Sequence, residues 1–178
     1  NLFQFDVEGE EEVTYKENEI YIPNPIFEQT LIDTGYDDIL DGYVKDSIVL
    51  SINELDLSNK LIEQYDGLEE FVNLTNLNLS GNIISDVPLI NLNNLTTLNL
   101  SNTSLTEIDL SFNNLITTLD LTGNPALECV KVSSQLFGQI PAGWTYDVGT
   151  TFELECDCPT LSLISGPTSQ DICDGEEI

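Results

Sequence analysis

Carboxylates dominate the chemistry available to this 178-residue sequence, which has 32 Asp and Glu residues, four Lys residues and no His. The lack of histidine excludes Ser-His-Asp and Cys-His catalysis and zinc sites of the HExxH type. Paired carboxylates, as used by glycosidases, are the only catalytic option that remains. We therefore predict that the chain is not an enzyme.

The tightest acidic cluster consists of Asp37, Asp38 and Asp41. Together with a backbone carbonyl, these side chains offer the oxygen ligands that calcium prefers, although their spacing is not that of an EF-hand loop. They are the candidate metal ligands, and calcium is the one cofactor that the sequence suggests.

The net charge of −28 limits the partners of the chain. Nucleic acid and anionic lipid would both be repelled, and no run of 18 apolar residues is present that could insert into a membrane. Two interpretations of the charge stay open. It keeps the surface soluble in salty surroundings, or its carboxylates bind divalent cations.

Polar residues also recur at intervals of about 21 residues, in two columns. The first column is Asp56, Asn78, Asn99, Asp120 and then Lys131, and the second is Ser58, Ser80, Ser101, Thr122 and then Ser133. They alternate with leucines, so we expect them to point outward from a sheet. One interpretation is a ligand face for a glycan, a cation or a cell-surface protein, and the other is a strand face that is polar because it is solvated. The face has no Trp, Tyr or Arg, so we expect each contact to be weak.

These columns belong to a repeat of the form Leu-x-x-Leu-x-Leu-x-x-Asn. Successive copies begin at Ile52, Leu74, Leu95 and Ile116, and a half-phase copy begins at Leu105. Such spacing predicts a leucine-rich-repeat solenoid, mainly β, with parallel strands and two extended edges per turn. We expect Leu55–Leu57, Leu77–Leu79, Leu98–Leu100, Leu119–Leu121 and Val130–Val132 to be neighbouring strands in that order.

The ends of the repeat array need protection. Asn24, Pro25 and Glu28 have the pattern of a helix start, and Phe27, Leu31 and Ile32 form an apolar stripe. This predicts an N-terminal capping helix over the open edge of the first strand. Asn82, Asn113 and Asn124 should hydrogen-bond the backbone at the turns, in a column that Lys60 and Thr103 interrupt.

The sequence resembles secreted bacterial surface proteins with 21-residue leucine-rich repeats, over about residues 20–157. Residues 21–28 and 35–42 resemble the entry segment of such proteins, and residues 124–132 and 143–156 resemble the exit segment. Residues 161–167 and 172–175 resemble the first strands of an immunoglobulin-like module. The resemblance implies an extracellular, non-enzymatic module for adhesion or recognition.

Cysteine use is consistent with that setting. Cys129 ends the array and Cys156 ends the exit segment, so their pairing is the natural closure, with Cys158 left for Cys173 or a downstream cysteine. Disulfides imply an oxidising, extracytoplasmic compartment. Buried free thiols in a cytosolic protein are the alternative.

Five segments follow from these observations. They are an acidic extension or linker (1–19), an N-terminal helical cap (20–51), the repeats (52–132), a C-terminal cap (133–157) in which Trp144 and Phe152 cover the last repeat, and the start of an immunoglobulin-like domain (158–178). Two other functions stay open: a passive spacer in a surface stalk, and an accessory domain of a secreted hydrolase.

Overall fold

The computed structural model of the protein describes residues 16–84 and 86–156. Short strands joined by turns make up most of it. In chain order the elements are β1 (Glu19–Tyr21), α1 (Pro25–Asp33), β2 (Tyr43–Lys45), α2 (Asp46–Val49), β3 (Glu54–Asp56), a 3-10 helix (Leu68–Glu70), β4 (Asn76–Asn78), β5 (Thr97–Asn99), β6 (Glu107–Asp109), β7 (Thr118–Asp120), β8 (Cys129–Lys131), β9 (Trp144–Thr145) and β10 (Thr151–Glu153).

Five parallel strands form the larger sheet, here called sheet I, in the order β3-β4-β5-β7-β9. Its central register aligns Leu55, Leu77, Leu98 and Leu119. Each leucine is at most 4% exposed, because a single repeat cannot bury its leucines and the next turn of chain covers them. The predicted parallel-strand solenoid and the order of its first four strands are confirmed.

The second edge of the later turns forms a smaller parallel sheet, sheet II, in the order β6-β8-β10. The predicted place of Val130–Val132 beside Leu119–Leu121 was wrong, because Val130 pairs with Ile108 in sheet II. The 22 residues between Ile108 and Val130 are a full turn, whereas the 11 residues from Leu119 are only half of one. The fifth strand of sheet I is instead β9, which aligns Trp144 with Leu119.

Buried asparagines hold the turns that follow the strands. Nδ2 of Asn124 donates to the carbonyls of Leu100 and Leu121 at 2.8 and 2.9 Å. Its Oδ1 accepts from the N–H groups of Thr103 at 2.9 Å and Leu105 at 3.3 Å. Each Asn therefore joins two successive turns of the solenoid, as predicted from the need to pair buried backbone groups.

The breaks in the asparagine column are accommodated by neighbouring residues. Oδ1 of Asn82 accepts from the N–H of Lys60 at 3.0 Å, so the Asn of the next turn pairs the backbone at the position where Lys60 replaces Asn. The fully buried Thr103 donates its hydroxyl to the carbonyl of Leu100 at 2.7 Å. Asn113 donates to two carbonyls, but its buried Oδ1 has no hydrogen-bond partner among the described residues.

The N-terminal region contains a short antiparallel pair, β1 with β2, and helix α1 between them. Asn24 caps α1, since its Oδ1 accepts from the N–H groups of Ile26 and Phe27 at 3.0 and 3.1 Å. Phe27 is fully buried and packs on Phe71, with ring centroids 5.8 Å apart. The role predicted for this helix in covering the edge of the first strand stays a prediction.

Residues 133–156 extend the solenoid by one strand in each sheet. Trp144 in β9 is 5% exposed, donates its indole N–H to the carbonyl of Ile116 at 3.1 Å, and packs on Phe152 in β10. The predicted disulfide between Cys129 and Cys156 is present. The immunoglobulin-like module predicted for 158–178, Cys158 and Cys173 with it, and the first 15 residues of the acidic extension lie outside the described residues.

Candidate functional site

Sheet I presents two columns of side chains to solvent, one on each side of the buried leucines. The first outward column comprises Glu54, Asn76, Thr97 and Thr118, and the second outward column comprises Asp56, Asn78, Asn99, Asp120 and Thr145. Sequence reasoning found the second column but missed the first. The signal was available, because alternation places the residue before each central leucine on the same face as the residue after it.

Side chains of the second outward column form hydrogen bonds with the turns that follow their own strands. Oδ1 of Asn78 accepts from the N–H of Ser80 at 3.1 Å and from its hydroxyl at 2.8 Å. Asp120 makes the same two bonds with Thr122, at 3.0 and 2.7 Å. This is the local turn that Asp and Asn side chains favour when they bond the backbone two residues on. One oxygen of each side chain is therefore already used inside the protein.

The predicted Ser and Thr column is bonded to the second outward column, since the hydroxyls of Ser80, Ser101 and Thr122 donate to it. Ser101 is 8% exposed and donates its hydroxyl to Asn99 at 2.8 Å, while Ser58, Ser80 and Thr122 are only partly exposed. Each of these residues lies two positions after a residue of the second outward column and donates its backbone N–H to that side chain. The predicted place of Lys131 and Ser133 in the two columns was also wrong, because Lys131 lies in β8 of sheet II and Ser133 follows that strand.

Neighbouring turns also bond laterally along this face. Nδ2 of Asn76 donates to Glu54 at 3.2 Å, and the hydroxyl of Thr145 donates to Asp120 at 3.2 Å. Partial burial acts to raise the pKa of Asp56, but hydrogen bonds from Ser58 and Asn78 and the charge of Lys60 hold that pKa below its ordinary value. Asp56 is therefore a stable anion at neutral pH.

The first outward column is less engaged. Within residues 16–84 and 86–156, the hydroxyls of Thr97 and Thr118 make no hydrogen bond to another protein group. In the same part of the chain, Glu54 accepts only from Asn76. These side chains, with the outer atoms of Asp56 and Asp120, are the groups of sheet I that can contact a ligand without first breaking a turn.

Asp37, Asp38 and Asp41 do not assemble into a metal site. No group of three or more acidic or cysteine side chains in the described part of the chain is arranged to hold a metal ion. Asp41 instead pairs with Lys16, with Nζ and Oδ2 2.7 Å apart, and accepts from the N–H of Tyr43 at 3.0 Å. The hydrogen bond from Lys16 is the main cause of the lowered pKa of Asp41.

Solved structures with this fold include two internalins from Listeria monocytogenes. Internalin C2 matches with a TM-score of 0.59 and 24% identity, over 75% of this chain and 57% of its own. A second internalin matches with a TM-score of 0.53 and 20% identity, over 75% of this chain and 43% of its own. No protein-family model and no curated protein matched the sequence.

These matches show that the chain has the leucine-rich-repeat fold of the internalins. The chain spans about half the length of the two structures that it resembles. Among residues 16–84 and 86–156, none of the helices has the length and apolar character needed to cross a membrane.

Proposed function

We propose that this chain is a non-enzymatic recognition module of an extracellular bacterial surface or secreted protein, and that sheet I contacts the partner. The observation that carries the proposal is the common register of β3, β4, β5 and β7, which holds two columns of polar side chains at a regular spacing of about 4.8 Å. A rigid sheet loses little entropy when it binds. The disulfide between Cys129 and Cys156 supports an extracellular location.

The chemistry of the face points to a partner rich in hydrogen-bonding groups. Carboxylates, amides and hydroxyls match the hydroxyls of a glycan, and they also match polar groups of a cell-surface protein, either directly or through calcium. Two outward columns supply these groups without an aromatic or arginine anchor. Each contact is therefore weak, and useful affinity comes from several modules or molecules that act together.

A passive spacer in a surface stalk is the second candidate, and one observation favours it. Oδ1 of Asp56, Asn78, Asn99 and Asp120 accepts the N–H two residues on in every case. A strand face that satisfies itself in this way needs no ligand to explain its composition. The first outward column is what separates the two functions, since its side chains do not brace the turns.

The test is a binding screen on printed glycans and on cultured animal and bacterial cells, with the chain displayed multivalently and with or without calcium. The main variant changes the first outward column to alanine at Glu54, Asn76, Thr97 and Thr118. Because these side chains do not hold the turns, the variant should fold like the native chain and lose binding. A variant of the second outward column is less informative, since it would weaken the turns and the face together.

Glu128→Ala is the control, because it removes an exposed acidic residue next to β8 on the other edge of the solenoid, outside sheet I. The recognition proposal requires that the control binds like the native chain. If the first-column variant also binds like the native chain, sheet I is not the site. If the native chain binds nothing in the screen, the spacer is the better account.

A further inference from the structure

Sheet II ends at β6 in the described part of the chain, although the repeat continues beyond it. Residues 86–88 precede β6 by 21 residues, so the repeat would place them beside it as a further strand. Among the described residues, no backbone hydrogen bond joins residues 86–90 to β6. Pro88 has no N–H to donate, and the N–H of Leu89 bonds back to the carbonyl of Val87 at 2.9 Å. This local turn leaves a groove between the two segments.

The groove has a volume of about 230 Å³ and is lined largely by apolar side chains. Val87 and Ile108 belong to the core, yet each is 8% exposed, twice the largest value among the central leucines of sheet I. Ile90 and Phe112 line the same groove and are 56% and 54% exposed. Apolar atoms of a partner that cover these side chains would remove them from water, which is favourable.

Three carboxylates also line the groove, from Asp86, Glu107 and Asp109. Asp109 is partly compensated, because Nζ of Lys131 lies 3.5 Å from its Oδ2. For Asp86 and Glu107 no ion pair is found within the described residues. The groove therefore combines apolar lining with net negative charge, and the chain has only four lysines with which to neutralise it.

We infer that this groove binds a segment of a partner protein in which Arg or Lys lies next to an apolar side chain. The apolar side chain and the methylene stem of the basic residue cover Val87, Ile108 and Phe112. The cationic group then lies among the carboxylates. Arg fits best because its planar guanidinium group can donate two parallel hydrogen bonds to one carboxylate. A second copy of this chain is the less favourable occupant, because two molecules of charge −28 repel each other.

Two short synthetic peptides test the inference on the full chain. Both have Gly-Ser flanks, and their cores are Arg-Leu-Arg-Leu and Glu-Leu-Glu-Leu. In amide NMR spectra, the basic peptide should shift the signals of Ile90, Glu107 and Phe112, and the acidic peptide should shift none of them. The double variant Asp86→Asn with Glu107→Gln should weaken binding of the basic peptide by roughly three- to tenfold, the size expected for exposed ion pairs.

The matched control is Asp66→Asn with Glu70→Gln, which removes the same charge from exposed positions outside both the groove and sheet I. The control should bind the basic peptide like the native chain. Equal weakening in both double variants would mean that the peptide responds to net charge alone, and the inference would be overturned. Shifts confined to other residues, or no shifts at the solubility limit of the peptide, would also overturn it. None of these outcomes depends on whether sheet I binds a ligand.

Discussion

Removal of the buried Asn124 side chain should be among the most destabilising polar substitutions in this protein. Its amide satisfies two carbonyls, from Leu100 and Leu121, and its oxygen satisfies two N–H groups, from Thr103 and Leu105. Asn124→Ala leaves three of these groups unpaired in a fully buried position, because only the carbonyl of Leu100 keeps another donor, the hydroxyl of Thr103. Each unpaired buried group costs about 1–3 kcal/mol before the structure relaxes. After relaxation and entry of water, we expect a loss of about 3–5 kcal/mol in the free energy of unfolding.

Asn113 is the internal comparison, because it occupies the same repeat position in the half-phase copy. Its amide donates to the carbonyls of Leu89 and Leu92, both at 3.0 Å, but no hydrogen bond to its Oδ1 is found among the described residues. Asn113→Ala leaves neither carbonyl unpaired, because Leu89 and Leu92 still accept from the N–H groups of Leu92 and Leu95 at 3.0 and 3.2 Å. It also removes a buried oxygen that has no partner among the described residues. We expect a loss of about 1–2 kcal/mol for this variant.

Urea unfolding measures both losses, followed by far-UV circular dichroism and by the fluorescence of Trp144, the single tryptophan. The two probes should give the same midpoint if the solenoid unfolds as one unit. An Asn113→Ala loss that equals or exceeds the Asn124→Ala loss would refute the reasoning. A loss below about 1 kcal/mol for Asn124→Ala would refute it as well, because it would mean that the four bonds contribute no more than one ordinary hydrogen bond.

Three further predictions concern the core, the disulfide and acid stability. Leu98→Ala should lower the free energy of unfolding by about 2–5 kcal/mol, since Leu98 is 1% exposed, and a loss below that range in urea unfolding would argue against the register. Replacing Cys129 and Cys156 by Ser should cost about 2–4 kcal/mol by the same assay, and an unchanged midpoint would contradict a stabilising bond. Partial burial opposes ionisation of Asp109, but hydrogen bonds from Ser111 and the charge of Lys131 hold the pKa of Asp109 below its ordinary value. The ionised Asp109 therefore stabilises the folded chain above that ordinary value, and this stabilisation is lost as the pH falls through the lowered pKa. Urea midpoints measured between about pH 5 and pH 2 should therefore fall less for Asp109→Asn than for the native chain.

The sequence predicted sheet I because its leucines repeat with one period and alternate with polar residues. Leu77, Leu98 and Leu119 lie 21 residues apart, and a one-residue error in register would have exposed all of them. Val130 was misplaced because the two halves of each turn carry nearly the same motif, so the motif alone does not tell which sheet a strand joins. The place of Trp144 in sheet I was harder still to predict, because the long connection after β8 breaks the period and the strand of Trp144 has no leucine.

The candidate site was predicted in part. Asp56, Asn78, Asn99 and Asp120 do lie on one outward face, as alternation required. Ser101 was expected to be exposed by the same alternation, but it is only 8% exposed and its hydroxyl bonds to Asn99. A period-2 pattern gives the face on which a side chain lies, but it does not show that a short hydroxyl side chain bonds its neighbour and loses its exposure. The groove beside β6 depends on a turn at Pro88, and the repeat pattern does not predict that turn either.

Photo-crosslinking tests the proposed role of sheet I most directly. A benzophenone side chain is introduced at Thr118, which is exposed in the first outward column, and in a separate protein at Ile39, which is 59% exposed and lies outside both sheets. Each protein is prepared in multivalent form, bound to the cells or glycans that bind the native chain, and then irradiated. Recognition through sheet I predicts cross-linked product from position 118 and little or none from position 39. Equal yields from the two positions, or product from position 39 alone, would contradict it.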